Sequence, residues 1–258
     1  MVRLLHQALN IRTGEGWQVF LLCLIHFIAN GGVIWSLIIT EAAFLQYIGV
    51  TFLPWVFVAS PLLSITAIAV YSAFADRVSE RNLLIGITLV AVFAFGGGYM
   101  LFMLGQQLWA FAIWYPLTLI FIDIFFTLHW GAYVNSFYDT QAAKRIFPIV
   151  SAAARIASIV AGATAIAFNR FDPATGILFW IGLLLMVVAL AWAMPHLLKQ
   201  PPPTKRAPTT AASTNSAISY IATIREGFQF VRQSQFLRWM AFATLSISIL
   251  FALLSYQA

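Results

Sequence analysis

Gly176–Met194 reads GILFWIGLLLMVVALAWAM, without one charged side chain. An apolar run of about 20 residues is what a helix rising 1.5 Å per residue needs to cross a hydrocarbon core of about 30 Å. Working outward, similar runs stand at Trp17–Ile39, Phe52–Phe74, Leu83–Leu104, Leu108–Val134 and Phe147–Phe168, and another at Phe236–Tyr256. The composition agrees. The 258 residues are 62% hydrophobic and 9% charged, more apolar surface than a soluble domain of this length can cover. The runs do not alternate like the ten-residue strands of a membrane barrel. A helix satisfies its own backbone in lipid. The fold class is an all-α membrane protein, and its first partner is the lipid bilayer.

The net charge of +6 is not a nucleic-acid signal, because the cations are gathered on one side of the ladder. Arg3 and Arg12 precede the first run. Arg77 and Arg81 lie between the second and third, and Lys144 and Arg145 between the fourth and fifth. Lys199, Lys205, Arg206, Arg225, Arg232 and Arg238 lie between or beside the sixth and seventh. Arg170 alone falls in an opposite-side loop. Positive loops stay in the cytoplasm, so the amino terminus is expected inside. The first run lacks a small-residue cleavage site and is expected to remain as a membrane helix. Cys23 is the one cysteine, which excludes an internal disulfide and a cysteine-based metal site.

Residues 200–216 read QPPPTKRAPTTAASTNS, too rich in proline and small polar residues to build a core. After them Ile218, Ile221, Ile224, Phe228 and Val231 recur every three or four positions, with Arg225, Gln229 and Arg232 on another face. That pattern predicts an amphipathic helix on the membrane surface. The organisation is therefore a six-helix bundle over 1–199, a cytoplasmic linker over 200–216, and a surface helix plus seventh membrane helix over 217–258.

Two stretches carry a family likeness. Ser72–Leu83 contains Asp76, Arg77 and Arg81 in a pattern that resembles the cytoplasmic loop signature G-x-x-x-D-R-x-G-R-[RK] of the major facilitator superfamily. Ser72 and Ser79 stand where glycines are usual, and Glu80 replaces a base. Tyr138–Ala154 contains Asp139, Lys144, Arg145, Phe147, Pro148, Ile149 and Ser151. It resembles the A-K-R-[FL]-[YF]-P-[LI]-x-[GS] signature of the ATP/ADP translocase branch, as does Leu253–Gln257 at the end of the seventh run. The resemblance implies a six-helix half built of two inverted three-helix repeats, with a carboxy-terminal half-bundle missing from this chain. It also implies a small anionic or nucleotide-like solute, antiport, and location in a bacterial cytoplasmic (inner) membrane. Asp76, Arg77 and Arg81 would then act as a gating loop.

The residues have readings of their own. Pro148 suits a first helical turn, and Lys144 and Arg145 suit the headgroup region. Ser151, Arg155, Ser158 and Gly162 form a small polar stripe on the fifth run. Such a stripe, with Ala152, Ala153, Ala157 and Ala161, favours close helix packing. Arg155 lies about eight residues, or roughly 12 Å, into its run, where a guanidinium needs an acid or water. Asp123 is the acid inside an apolar interior, so the two are expected to face inward and pair or share a wet cavity. They serve either as solute contact and coupling group or as a helix clamp. Asp123, Thr127 and Trp130 are expected on one face. His129, beside Trp130 and Tyr133, is either an interfacial anchor, the first reading, or a proton carrier. Glu41 is either a receiving group at the outer mouth or a solvated loop acid. Asn30, with Gly31 and Gly32, either lines a cavity or admits a neighbouring helix. The Gly96-Gly97-Gly98 run reads as packing.

The sequence holds no phosphate-binding G-x-x-x-x-G-K-[ST] loop, no histidine–acid metal cluster and no nucleophile–base pair. No catalytic residue, cofactor or metal is expected. The expected function is secondary transport by alternating access. The alternative is a transport-incompetent membrane module (an anchor, scaffold or sensory input) of a larger or truncated protein.

Overall fold

The computed structural model describes residues 12, 14–75, 77–168, 173–198, 234–236, 238–239, 242–243 and 246. Asp76, the linker over 200–216 and the expected surface helix over 218–231 lie outside the described residues. The chain divides into two compact units, Met1–Lys205 and Arg206–Ala258.

Among the described residues, the first unit holds six helices long and apolar enough to cross a membrane. They are α1 (Gly16–Tyr47), α2 (Leu53–Ala75), α3 (Glu80–Met103), α4 (Gln107–Asn135), α5 (Thr140–Phe168) and α6 (Pro173–Leu198). No strand occurs among the described residues. In the second unit Gln235, Phe236, Arg238, Trp239, Phe242, Ala243 and Ser246 are helical, and the Arg238 N–H donates to the Ser234 carbonyl at 3.1 Å.

Helix ends are set by local chemistry. Gly105 has φ +76°; its N–H donates to Phe102 O at 3.0 Å and the Gln106 N–H to Leu101 O at 2.9 Å. This paired closure of the last carbonyls of α3 needs a left-handed residue, which glycine supplies without steric cost. Asp139 starts α5, its Oδ1 accepting the Ala142 N–H at 2.7 Å. The helix therefore begins well before the apolar run, and Pro148 sits inside it rather than in the first turn. Within α4, residues Ile122–His129 widen into a π-helix.

Packing is organised around α1, which lies against α5, α6 and α4. α3 lies against α6 and α4, and α2 against α4. Exchanging α1, α2 and α3 with α4, α5 and α6 leaves these main contacts unchanged, while the slighter α2–α3 and α4–α5 contacts fall outside the symmetry. α2 is the least covered of the six spans.

Lipid tails are as apolar as leucine, so helices in a bilayer associate through close van der Waals fit and interhelical hydrogen bonds. Two glycines show how the fit is made. A Cβ on Gly32 would lie 2.1 Å from the Trp180 ring, and one on Gly98 would lie 2.3 Å from Trp114 Nε1. Both indoles are fully buried. Trp114 Nε1 also donates to Phe95 O at 3.1 Å, which joins α4 to α3. Gly96 and Gly97 face open space, so of the three consecutive glycines only Gly98 admits a neighbour.

Gly98→Val is expected to destabilise the bundle by about 1–3 kcal/mol through overpacking against Trp114. Gly97→Val should cost under about 1 kcal/mol. Unfolding in mixed micelles, followed by helix content, measures both. Equal losses would remove the Trp114 seat as the reason for Gly98.

Candidate functional site

The seam between α1 and α5 carries the most specific polar contacts. α5 turns Ala143, Ile146, Val150, Ala154, Ala157, Ala161 and Ala165 inward, all buried. These positions recur at helical spacing. The alanines let the backbones approach: a Cβ on Gly31 would stand 3.5 Å from Ala157 Cβ. Into this seam Asn30 sends its Nδ2, donating to Ala154 O at 2.8 Å and Ser158 Oγ at 2.7 Å. Asn30 and its glycines thus admit a neighbouring helix, and Gly31 and Gly32 also line a cavity of about 220 Å³ with Ala157 and Ala161, so both possibilities the sequence left open are met.

One end of the same seam is closed by charge. The Arg145 guanidinium donates to both carboxylate oxygens of Glu15, at 2.9 and 2.8 Å. Such a fork is stronger and more directional than a single contact. Beside it is a cavity of about 460 Å³ lined by Arg12, Asp139, Gln141, Ala142, Lys144 and Arg145. Lys144 is exposed. The nearby Tyr138 hydroxyl is buried without a hydrogen-bond partner. Burial first, then the negative charge of Glu15, raises the pKa of that phenol above its ordinary value, while Arg145 acts in the opposite direction.

A second cluster joins α2, α3 and α4. His129 is fully buried, not an interfacial anchor. Its Nδ1 meets the Tyr71 hydroxyl at 3.2 Å and lies 3.6 Å from Glu80 Oε2. Its Nε2 meets the Glu80 carbonyl at 2.9 Å. Sequence reading missed this group because its members are far apart in the chain. The usable signal was Glu80, the acid standing where the loop signature expects a base.

At the opposite end, exposed Glu41 accepts the Tyr115 hydroxyl at 3.1 Å, tying α1 to α4. Arg77 is exposed and Arg81 half-buried, its Nη2 donating to Asn82 Oδ1 at 3.4 Å.

The expected pair does not form. Arg155 is exposed and Asp123 half-buried, and the ion pair formed among the described residues by a base that is always charged is Arg145–Glu15. The reason is angular. Ala154 takes the position facing α1, and Arg155, about 100° further round the helix, points away. The start of α5 at Thr140 also puts Arg155 about 15 residues, or roughly 23 Å, from the helix start. Asp123 lies in the π segment, where bonds skip an extra residue. This breaks the expected shared face: Thr127 is exposed and Trp130 buried. Likewise Ser151 and Ala152 are exposed, because the packing stripe of α5 is the alanine row beside them.

Long apolar helices joined by interhelical polar contacts define a polytopic integral membrane protein. A family model described as TLC ATP/ADP transporter matches residues 88–256, and the chain belongs to that family. The match runs from within α3 and includes the Asp139–Ser151 and Leu253–Tyr256 stretches. No curated protein and no solved structure matches the chain.

Arg145→Ala and Glu15→Ala are each expected to weaken the α1–α5 seam. Because both partners are partly exposed, at 14% and 21%, a double-mutant cycle should give a coupling of about 1 kcal/mol. Unfolding in micelles measures it, and additive losses would mean that the fork contributes no stability.

Proposed function

We propose that this protein is a secondary transporter of the major facilitator type that moves a nucleotide or nucleotide-like anion by alternating access. The observation that carries this reading is the family match over 88–256. That membership also favours transport over an inert membrane module, and over an enzyme. The reading needs no cofactor or metal.

The packing supports the mechanism. A pattern of main contacts unchanged by exchanging the first three helices with the last three is what two inverted three-helix repeats produce. α2 and α5 correspond under this exchange, and both keep much of their length uncovered. Leu62, Ile65 and Val70 are exposed on α2, and Ser151, Arg155 and Ile159 on α5. In this reading residues 200–216 are a linker and residues 217–258 begin a second bundle. Arg155 on the open face is the anion contact. Asp123, half-buried on α4 and held by no ion pair among the described residues, is the coupling group. Asp76, Arg77 and Arg81 act as the gate that closes and opens as the halves rock. Asn30 and Glu41 take the supporting role of holding α1 against α5 and α4. The basic end, with Arg12, Arg77, Lys144 and Arg145, faces the cytoplasm, in a bacterial inner membrane.

Proteoliposomes preloaded with ADP should take up labelled ATP faster than empty ones when they contain the protein as encoded in full. Arg155→Ala should lower that uptake about tenfold or more, the loss expected for one charge-assisted contact of about 1.5–3 kcal/mol. Arg155→Lys should retain part of it. Nucleotide-independent uptake would overturn the exchange reading, and full activity in Arg155→Ala would remove the proposed contact. A reporter fused after Lys205 should be active in the cytoplasm, and a periplasmic signal would invert the orientation.

A further inference from the structure

The His129 cluster draws on three helices and fixes where one proton sits. His129 ends the π segment of α4, and such wide turns inside helices are frequent at functional sites. Its ring is fully buried. Nε2 faces the Glu80 carbonyl oxygen at 2.9 Å. A carbonyl only accepts, so the proton of the neutral ring is on Nε2. Nδ1 is then the acceptor, and the Tyr71 hydroxyl on α2 donates to it at 3.2 Å. Glu80 Oε2 stands 3.6 Å from the same Nδ1, beyond hydrogen-bond length. This is the geometry of the neutral imidazole.

One more proton changes the partners. An imidazolium donates at both nitrogens and accepts at neither. Nδ1 then loses the Tyr71 hydroxyl, and the group of opposite charge beside it is the Glu80 carboxylate. Glu80 opens α3 with its side chain 28% exposed, so a proton enters from water through this carboxylate and passes to Nδ1. The carboxylate is left ionised and pairs with the ring. The remaining titratable and charged groups around the cluster are these. Tyr133 on α4 has its ring 6.4 Å from that of His129 and donates its hydroxyl to Met194 Sδ at 3.2 Å. Asp123 lies near the other end of the π segment. His26 on α1 is stacked on Trp130. Arg81 follows Glu80 on α3, and Arg77 is exposed in the turn before it. Asp76, in the same turn, lies outside the described residues.

From this juxtaposition we infer that His129 is a proton-binding site that latches α2. The neutral ring holds Tyr71; the protonated ring exchanges Tyr71 for the Glu80 carboxylate and loosens α2 from α4. α2 is the span on which such a contact acts most, since it is the least covered. Its Thr66 and Ser72 hydroxyls donate to carbonyls of α2 itself, at Leu62 and Ile68, whereas Tyr71 reaches across to α4. The inference needs only the packed bundle and does not depend on the transport reading.

Nitrogen NMR of the full chain in detergent micelles, with isotope-labelled histidine, reads the ring. The His129 signals are those lost in His129→Gln. At about pH 8 the expected form is neutral with its proton on Nε2. Hydrogen exchange of the α2 amides, divided by the intrinsic rate at each pH, reads the latch. From about pH 8 down to about pH 4 the ring should take up its second proton. Over the same range α2 exchange should rise about fivefold relative to α1, as for one lost hydrogen bond. His129→Gln should abolish that rise. Tyr71→Phe should exchange fast already at about pH 8 while its His129 still titrates, which a purely structural role for the ring does not give. A neutral ring protonated on Nδ1, a ring that stays neutral down to about pH 4, or an equal rise in His129→Gln would each overturn the latch. So would slow α2 exchange at about pH 8 in Tyr71→Phe. If His129→Gln fails to fold, the ring signals are identified by their shift in Tyr71→Phe, and the unaltered protein still decides.

Discussion

Hydrocarbon supplies no hydrogen-bond partner, and the rest of this structure follows from that constraint. Each span must satisfy its own backbone, which dictates helix from near one membrane face to the other. Side chains obey the same rule. Thr88 and Thr118 return their hydroxyls to the carbonyls of Leu84 and Trp114, four residues back, each at 2.8 Å. Trp114 reaches a carbonyl on the neighbouring helix, and Asn30 satisfies its amide across a seam. Polar groups that make these bonds cease to be liabilities and become the directional contacts between helices.

The second consequence is a division of labour on each helix. Alanine and glycine positions set how close two backbones come, and large indoles fill the space that remains. Gly32 with Trp180 and Gly98 with Trp114 show the arrangement on α1–α6 and α3–α4. α5 puts its alanines inward and leaves Arg155 one position round, on a face that the first unit does not cover. A helix can be tightly packed along one side and keep a cation available on another.

Much of the fold was legible in the sequence because length and hydropathy are properties of contiguous residues. The six apolar runs, the absence of alternating strand pattern, and the small-residue character of α5 are all local signals. The helix starts were less legible. Asp139 extends α5 upstream past Lys144 and Arg145, since a capping carboxylate can begin a helix outside the apolar region. The expected Asp123–Arg155 pair illustrates the harder limit. Both residues were read as lying inside apolar helices, but a pair also requires the right angles about two axes. One axis was reset by the π segment over Ile122–His129, and the other was fixed by the alanine row of α5. The His129–Tyr71–Glu80 group was invisible for the complementary reason, since proximity across three helices leaves no spacing in the chain.

By itself, then, the amino-acid order determined a lipid-embedded chain of apolar helices with its cations gathered on one side. Two short stretches within it resemble a nucleotide-exchange family. Tertiary structure decided which small residues meet, which of the candidate polar groups are spent holding helices together, and which stay open. Asn30, Glu15 and Arg145 are committed to seams, whereas Arg155 stays exposed. The physical reason is that hydropathy sums along the chain, but a side chain's partner depends on helix rotation and register, which only packing sets.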